Sequence, residues 1–107
     1  MGDDVEFIGL RKGLLEFAVL TVISVEKVYA ADILELLAET PFATQEGTLY
    51  PLLSKLRRDQ LVDYEWVESE AGPPRKYYRL TDKGRARLAD LSAYWRQLNI
   101  AFESLGR

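Results

Sequence analysis

The sequence predicts a mainly α fold carrying one small β-hairpin, an α+β class. Three observations predict it. Leu49, Leu53 and Leu56 recur at i, i+4 and i+7 within the stretch Thr44 to Arg58, the spacing of one buried helical stripe. Val62, Tyr64 and Trp66 alternate with Asp63 and Glu65, the period of a half-buried strand. Leu88, Leu91, Trp95, Leu98, Phe102 and Leu105 follow one another at separations of 3, 4, 3, 4 and 3, a heptad seam held for almost three heptads.

In chain order, residues 1–12 have no clear period, and Val5, Phe7, Ile8 and Leu10 suggest an arm or short helix that packs on something. Residues 13–26 read as a helix, with Leu14, Phe17 or Ala18, Thr21 or Val22, and Val25 keeping the helical period. Lys27 to Tyr29 form a short turn. Ala30 to Glu39 make a second helix, with Ile33, Leu34 and Leu37 inward and Asp32, Glu35 and Glu39 outward. Thr40-Pro41 ends it, because a residue before proline is pushed out of the α region.

In the third helix, Thr44 is expected as N-cap, its hydroxyl accepting an orphan backbone N–H. Gly47, Thr48 and Tyr50 lie on or near the outer face, with Lys55, Arg57 and Arg58 further along. Pro51 cannot donate to the Gly47 carbonyl and is expected to kink or loosen the helix there. A helix that opens with small polar residues and closes with cations suits insertion beside a phosphate backbone. An ordinary amphipathic helix with a solvated basic end fits the same residues, and both readings stay open.

Helix, helix, turn, helix is the connectivity of a helix-turn-helix unit. The strand from Val62 and a second, aromatic-rich strand Lys76-Tyr77-Tyr78-Arg79-Leu80 are joined by Glu68 to Pro74, where Gly72-Pro73-Pro74 is the expected hairpin tip. A hairpin directly after the third helix is the wing of a winged helix, and its basic second strand suits a neighbouring phosphate backbone. Thr81 can cap the last helix, with Asp82 at its positive end. A helix over 82–105 is roughly 36 Å long, too long to be covered by so small a core. Its outer half needs another surface. Dimerisation supplies one, and an antiparallel contact with the first helix or the N-terminal arm would supply another. The expected organisation is a winged helix-turn-helix domain with its arm over 1–81 and a C-terminal dimerisation helix over 82–107.

Composition narrows the function. The 107 residues contain no His and no Cys, which removes Ser-His-Asp and Cys-His catalysis and zinc sites built on imidazole or thiolate. No enzyme, metal or cofactor is expected. The absence of Cys fits a reducing compartment, and Glu16 and Thr21 interrupt the best candidate for a membrane span. Met1-Gly2-Asp3-Asp4-Val5-Glu6 is acidic, unlike a signal peptide, and Glu6 breaks the myristoylation pattern. The chain is therefore expected to be cytoplasmic, without a membrane partner. Its net charge of −3 is unevenly spread. Arg75, Lys76, Arg79, Lys83, Arg85 and Arg87 face one acid, Asp82, while Asp3, Asp4, Glu6, Asp32, Glu35 and Glu39 crowd elsewhere.

Glu46-Gly47-Thr48-Leu49-Tyr50-Pro51-Leu52-Leu53-Ser54-Lys55-Leu56, followed by Pro74-Arg75-Lys76-Tyr77-Tyr78-Arg79-Leu80-Thr81-Asp82-Lys83-Gly84, resembles the PadR family of transcriptional regulators over roughly residues 10–105. The single long C-terminal helix resembles the compact subfamily that includes multidrug-sensing repressors. The resemblance implies a winged-helix homodimer held by that helix and bound to a pseudo-palindromic operator in double-stranded DNA. It implies DNA contacts at Thr44, Gln45, Gly47, Thr48 and Tyr50, a phosphate contact at Lys55, and wing contacts at Arg75 and Lys76. Gln45 is the expected base reader, since its amide can pair bidentately with adenine. Leu88, Leu91, Trp95, Leu98, Phe102 and Leu105 form the implied dimer seam. Trp95 resembles the tryptophan that stacks planar aromatic ligands in drug-sensing members, where Leu91, Leu98 and Asn99 would line the same pore. A tryptophan on a heptad seam also serves as plain interface packing. Asn99 stands where those relatives carry an acid, which argues against a preference for cations, and Tyr29-Ala30-Ala31-Asp32 replaces a His-Gly-Tyr-Glu-like opening of the second helix. Glu68 and Glu70 at the wing tip would repel phosphates. A regulator without a ligand, and a winged-helix protein-interaction module with weak DNA binding, are the alternatives.

Overall fold

The computed structural model describes residues 7–107, in the order α1 (Ile8–Val25), α2 (Ala30–Leu37), α3 (Glu46–Arg58), β1 (Val62–Ser69), β2 (Gly72–Leu80) and α4 (Asp82–Gly106). Expectations for residues 1–6, including Val5 of the arm and the acids Asp3, Asp4 and Glu6, lie outside the described residues. Three helices and an antiparallel two-stranded hairpin close around one core, and α4 extends from it, giving extents of 57 × 35 × 21 Å.

α1 begins earlier than its periodicity suggests, because Ile8 to Lys12 continue the same helix instead of forming a separate arm. Its buried face is Val19, Leu20 and Ile23, one residue round from the expected stripe. The helix is apolar on most sides, so period alone could not choose the face. Thr21 and Ser24 are accommodated by donating to the carbonyls of Phe17 (2.7 Å) and Thr21 (2.6 Å). The linker Lys27 to Tyr29 does more than turn. Val28 is buried and exchanges backbone hydrogen bonds with Tyr78 at 3.1 and 2.7 Å, tying the start of α2 to the wing.

α2 buries Ala30, Ile33 and Leu37, with Leu34 packed against the core's margin. It stops two residues short of the expected Glu39, where the Thr40 hydroxyl donates to the Leu37 carbonyl (2.7 Å) and accepts from the Phe42 N–H (3.0 Å). α3 buries Leu49, Leu53 and Leu56 as its spacing requires, and it runs through Pro51 as one helix. Pro51 lies in the second turn, so only the Gly47 carbonyl loses its donor. The N-cap is Gln45, not Thr44, and it caps through its backbone: its carbonyl accepts from Thr48 (3.0 Å) and Leu49 (2.9 Å). α3 ends in a Schellman arrangement, with Leu61 N–H donating to the Leu56 carbonyl and Gln60 N–H to that of Arg57, both at 2.9 Å. Gln60 takes the left-handed position, φ 64°.

The hairpin is longer than its aromatic runs. Ser69 pairs with Gly72, so Gly72, Pro73 and Pro74 belong to β2 and the turn is Glu70-Ala71. The two prolines fall where the register shifts between Val67 and Ser69, a bulge at which their missing N–H groups cost no ladder bond. Thr81 caps α4 by accepting from Gly84 N–H (2.9 Å), and its hydroxyl donates to the Gln60 carbonyl (2.6 Å). Gly84 lies so close to the Leu61 carbonyl that a Cβ would overlap it. Leu88 and Leu91 pack against the core, so the first half of α4 is covered within the chain. Beyond them the seam is open, with Phe102 70% and Leu105 75% exposed.

Candidate nucleic-acid interface

Thr44, Gln45, Gly47, Thr48 and Tyr50 gather at the opening of α3. The Leu49-Leu53-Leu56 stripe is buried, which turns the opposite side of the helix outward. Gln45, Gly47, Thr48 and Tyr50 are exposed and Thr44 is half-buried. The Gln45 side chain makes no capping bond. A Cβ at Gly47 would meet no atom within 4 Å, so nothing inside the protein demands glycine there. Arg11 and Lys12 of α1 border the same corner, sharing a small cleft with Thr44 and Thr48. Nothing in the sequence announced that contact, since it depends on how α1 lies across the start of α3.

Lys55 behaves differently. Its ammonium lies 3.2 Å from Asp59 and 3.7 Å from Glu16, and Glu16 also binds Arg87 of α4 at 2.8 Å. The expected phosphate contact is thus part of an ion cluster joining α3, α1 and α4.

In the wing, strand alternation puts Arg75 and Lys76 on opposite faces. Arg75 turns with Tyr77 and Arg79, and its guanidinium donates to the Tyr29 hydroxyl (2.9 Å) while lying 4.8 Å from that ring. Tyr29 meets Tyr77 edge-on at 5.3 Å, so the altered opening of α2 repacks onto the wing. Arg79 is neutralised by Glu65 (3.2 Å) and Asp63 (3.8 Å). Lys76 lies on the other face, opposite Trp66, together with Tyr78 and Leu80. Of the adjacent Tyr77 and Tyr78, Tyr78 is the one in the core. Burial, then the neighbouring Tyr50 and Tyr64, push its pKa above the ordinary 10.0, and Arg57 opposes them.

Between α3, the wing and the start of α4 runs an open groove of about 880 Å³, whose charged lining is Arg57, Arg58, Lys76 and Lys83 against Asp63 and Asp82. With four cations against two acids the groove is net positive, which suits a polyanion. A second opening is apolar. Leu14, Phe17, Ala18, Val22, Leu36 and Phe42 line a groove of about 410 Å³ that Trp95, 39% exposed, closes at one edge. Leu98 is half-buried and Asn99 exposed beside it on α4. Among the described residues there is no cluster of His, Cys, Asp or Glu able to hold a metal, and no helix is long and apolar enough to cross a membrane.

The model of the PadR-like family of transcriptional regulators matches residues 19–90. A PadR-like transcription factor from Bacteroides fragilis is 47% identical, covering 91% of this chain and 94% of that one with a TM-score of 0.80. A PadR family transcriptional regulator from Eggerthella lenta is 33% identical over 94% of this chain and 88% of that one, with a TM-score of 0.83. A PadR-like transcriptional regulator from Bacillus cereus is 34% identical over 88% and 92%, with a TM-score of 0.77. An uncharacterised protein of Lysinibacillus sphaericus is 32% identical over 57 residues, 53% of this chain and 52% of that protein, so the match spans about half of that curated relative.

Proposed function

The chain belongs to the PadR-like family of transcriptional regulators, and on that premise we propose that it is a homodimeric, sequence-specific repressor whose two copies of α3 enter successive major grooves of a pseudo-palindromic operator. The observation that carries this reading is the opening of α3, where Gln45, Gly47, Thr48 and Tyr50 are exposed, Thr48 sharing a cleft with Arg11 and Lys12 and Tyr50 sharing one with Arg75 and Lys76. Gln45 reads a base edge. Thr48 and Tyr50 bind phosphates through their hydroxyls, and Gly47 lets the helix backbone approach the duplex. Thr44, at the corner shared with Arg11 and Lys12, meets the flanking backbone. Arg75 and Lys76 extend the footprint along the wing. Lys55 contributes by leaving its carboxylate partners for a phosphate, and so ranks below the others.

Labour divides at Thr81: the winged helix before it binds DNA, and α4 after it joins two copies. Leu98, Phe102 and Leu105 are the outer part of that seam, while Leu88, Leu91 and Trp95 lie where it meets the body of the protein. An effector acts at the same place. A planar aromatic ligand stacks on Trp95 beside Leu91, Leu98 and Asn99, alters the angle between the two wings and weakens operator binding. Such a regulator works in the cytoplasm, where its operator is.

The test is fluorescence anisotropy of labelled DNA from upstream of the protein's own gene, across a salt series, against random DNA of equal length. A clear preference for the upstream DNA, with affinity falling by about 0.9 log units per log unit of salt for each phosphate bound, is the expected result. Equal, weak binding to both duplexes contradicts the reading.

A further inference from the structure

Trp66 has no role in the core. The face of the hairpin turned toward α3 carries three facing pairs: Val62 with Leu80, Tyr64 with Tyr78, and Trp66 with Lys76. The first pair and Tyr78 are buried, Tyr64 lies at the core's margin, and Trp66 is 62% exposed. Its environment is a ladder of cations and rings. The Arg57 guanidinium lies 4.2 Å from the centre of the Tyr64 ring, the Lys76 ammonium 4.3 Å from that ring and 5.4 Å from the indole. Tyr64 meets Trp66 edge-on at 6.3 Å. Unlike Arg79, Lys76 has no carboxylate partner among the described residues. Trp66 and Lys76 also line a cleft of about 520 Å³ together with Arg75, with Tyr50 of α3 and with Tyr29 and Ala31 at the start of α2.

We propose that Trp66 is a DNA-contacting residue of the wing and, with Tyr64, a positioning residue for Lys76. One strand of the duplex passes through the cleft between wing and α3. The indole lies against a deoxyribose of that strand, and the two rings hold the ammonium on an adjacent phosphate. Duplex DNA is the occupant because Tyr50 of α3 lines the same cleft, and because Lys76 supplies a charge that no carboxylate among the described residues pairs with. A ring pair costs little entropy to keep in place, and it leaves the cation's outer side open to an anion. The inference rests on the DNA-binding reading above and adds a residue to it.

The chain has two tryptophans, so the Trp66 signal is the difference in indole emission between the unaltered chain and its Trp66→Phe variant. Both are titrated with a labelled duplex from upstream of the gene and with a random duplex, reading anisotropy and indole emission together. Trp66 emission is expected to be quenched as anisotropy rises. Trp66→Ala is expected to weaken binding about tenfold, the loss of a cation–π-held phosphate contact, with Trp66→Phe retaining most of the affinity. Both Trp66→Ala and Lys76→Ala should lower the salt slope by about 0.9, since the lysine loses its position in one and its charge in the other. Circular dichroism and melting of Trp66→Ala should match the parent, because the side chain is outside the core. Normal DNA binding with unchanged Trp66 emission, and with Trp66→Ala within twofold of the parent, would overturn the inference while leaving the DNA-binding reading intact. No DNA binding by the parent at any salt would overturn that reading, and the inference with it.

Discussion

Gln60 and Gly84 carry much of the junction between α3, the wing and α4, and each is the less expected choice for its position. Gln60 occupies the left-handed position at the end of α3, which glycine adopts without steric cost. Gln60→Gly is therefore predicted to raise the urea midpoint, by a stability gain of about 0.5–1 kcal/mol. Gly84 is the reverse case. A Cβ there overlaps the Leu61 carbonyl, and Gly84→Ala should cost about 1–3 kcal/mol by the same measurement. Tyr78 supplies a pH dependence. Its folded pKa stands above the ordinary 10.0 because it is buried, so its contribution is complete below that value and is lost as pH rises through the raised one. Tyr78→Phe should lose less stability than the parent in melts run above about pH 10. The residue scale is where sequence reading was most uneven. Leu49, Leu53 and Leu56 were legible because three apolar side chains on one stripe have one stable destination. Gly84 was legible as part of a motif but not as a necessity, since the clash it avoids comes from a residue on another element. Alternation puts Trp66 with Val62 and Tyr64 on the inward face of a half-buried strand, but it reports which face a residue is on, not how far the core extends along it.

At the scale of elements, α3 and the wing were read correctly in kind and misread at their ends. The N-cap moved from Thr44 to Gln45 because a backbone carbonyl performs the capping that a hydroxyl was expected to perform. The hairpin tip moved because a bulge absorbs two prolines that otherwise mark a turn. Such ends are set by local hydrogen bonds that several residue types can make, so composition does not single them out. The open space around Gly47 yields a separable prediction for α3. Gly47→Ala should leave stability unchanged or raise it by about 0.5–1 kcal/mol, as alanine does inside a helix, yet weaken DNA binding because the added methyl stands between helix and duplex. Equal binding by the two proteins would remove the close-approach role. For the wing, Glu68 and Glu70 are exposed at its tip. Glu70→Lys is predicted to strengthen binding to any duplex and steepen its salt dependence by about 0.9, without sharpening the preference for one sequence.

The whole molecule has one covered and one uncovered end. α1, α2, α3 and the hairpin close a core that also takes Leu88 and Leu91, while α4 carries Phe102 and Leu105 out into solvent. α1 and the core take the first half of α4, and the outer half is the surface that the proposed second copy would cover. Phe102→Glu with Leu105→Glu should give a monomer by analytical ultracentrifugation that keeps its helical content and loses tight operator binding, since each half-site alone is weak. The long seam was legible from spacing because a helix exceeding its own core leaves its period visible. The apolar groove beside Trp95 was not, since it is assembled from α1, α2 and α4 at once. On the proposed function, two copies of α3, held at a fixed separation, read one operator. Footprinting on DNA from upstream of the gene should then show two protected half-sites centred about one helical turn, roughly 34 Å, apart, both lost together in the Phe102→Glu, Leu105→Glu variant. A single protected half-site, or two that survive in the monomeric variant, would contradict it.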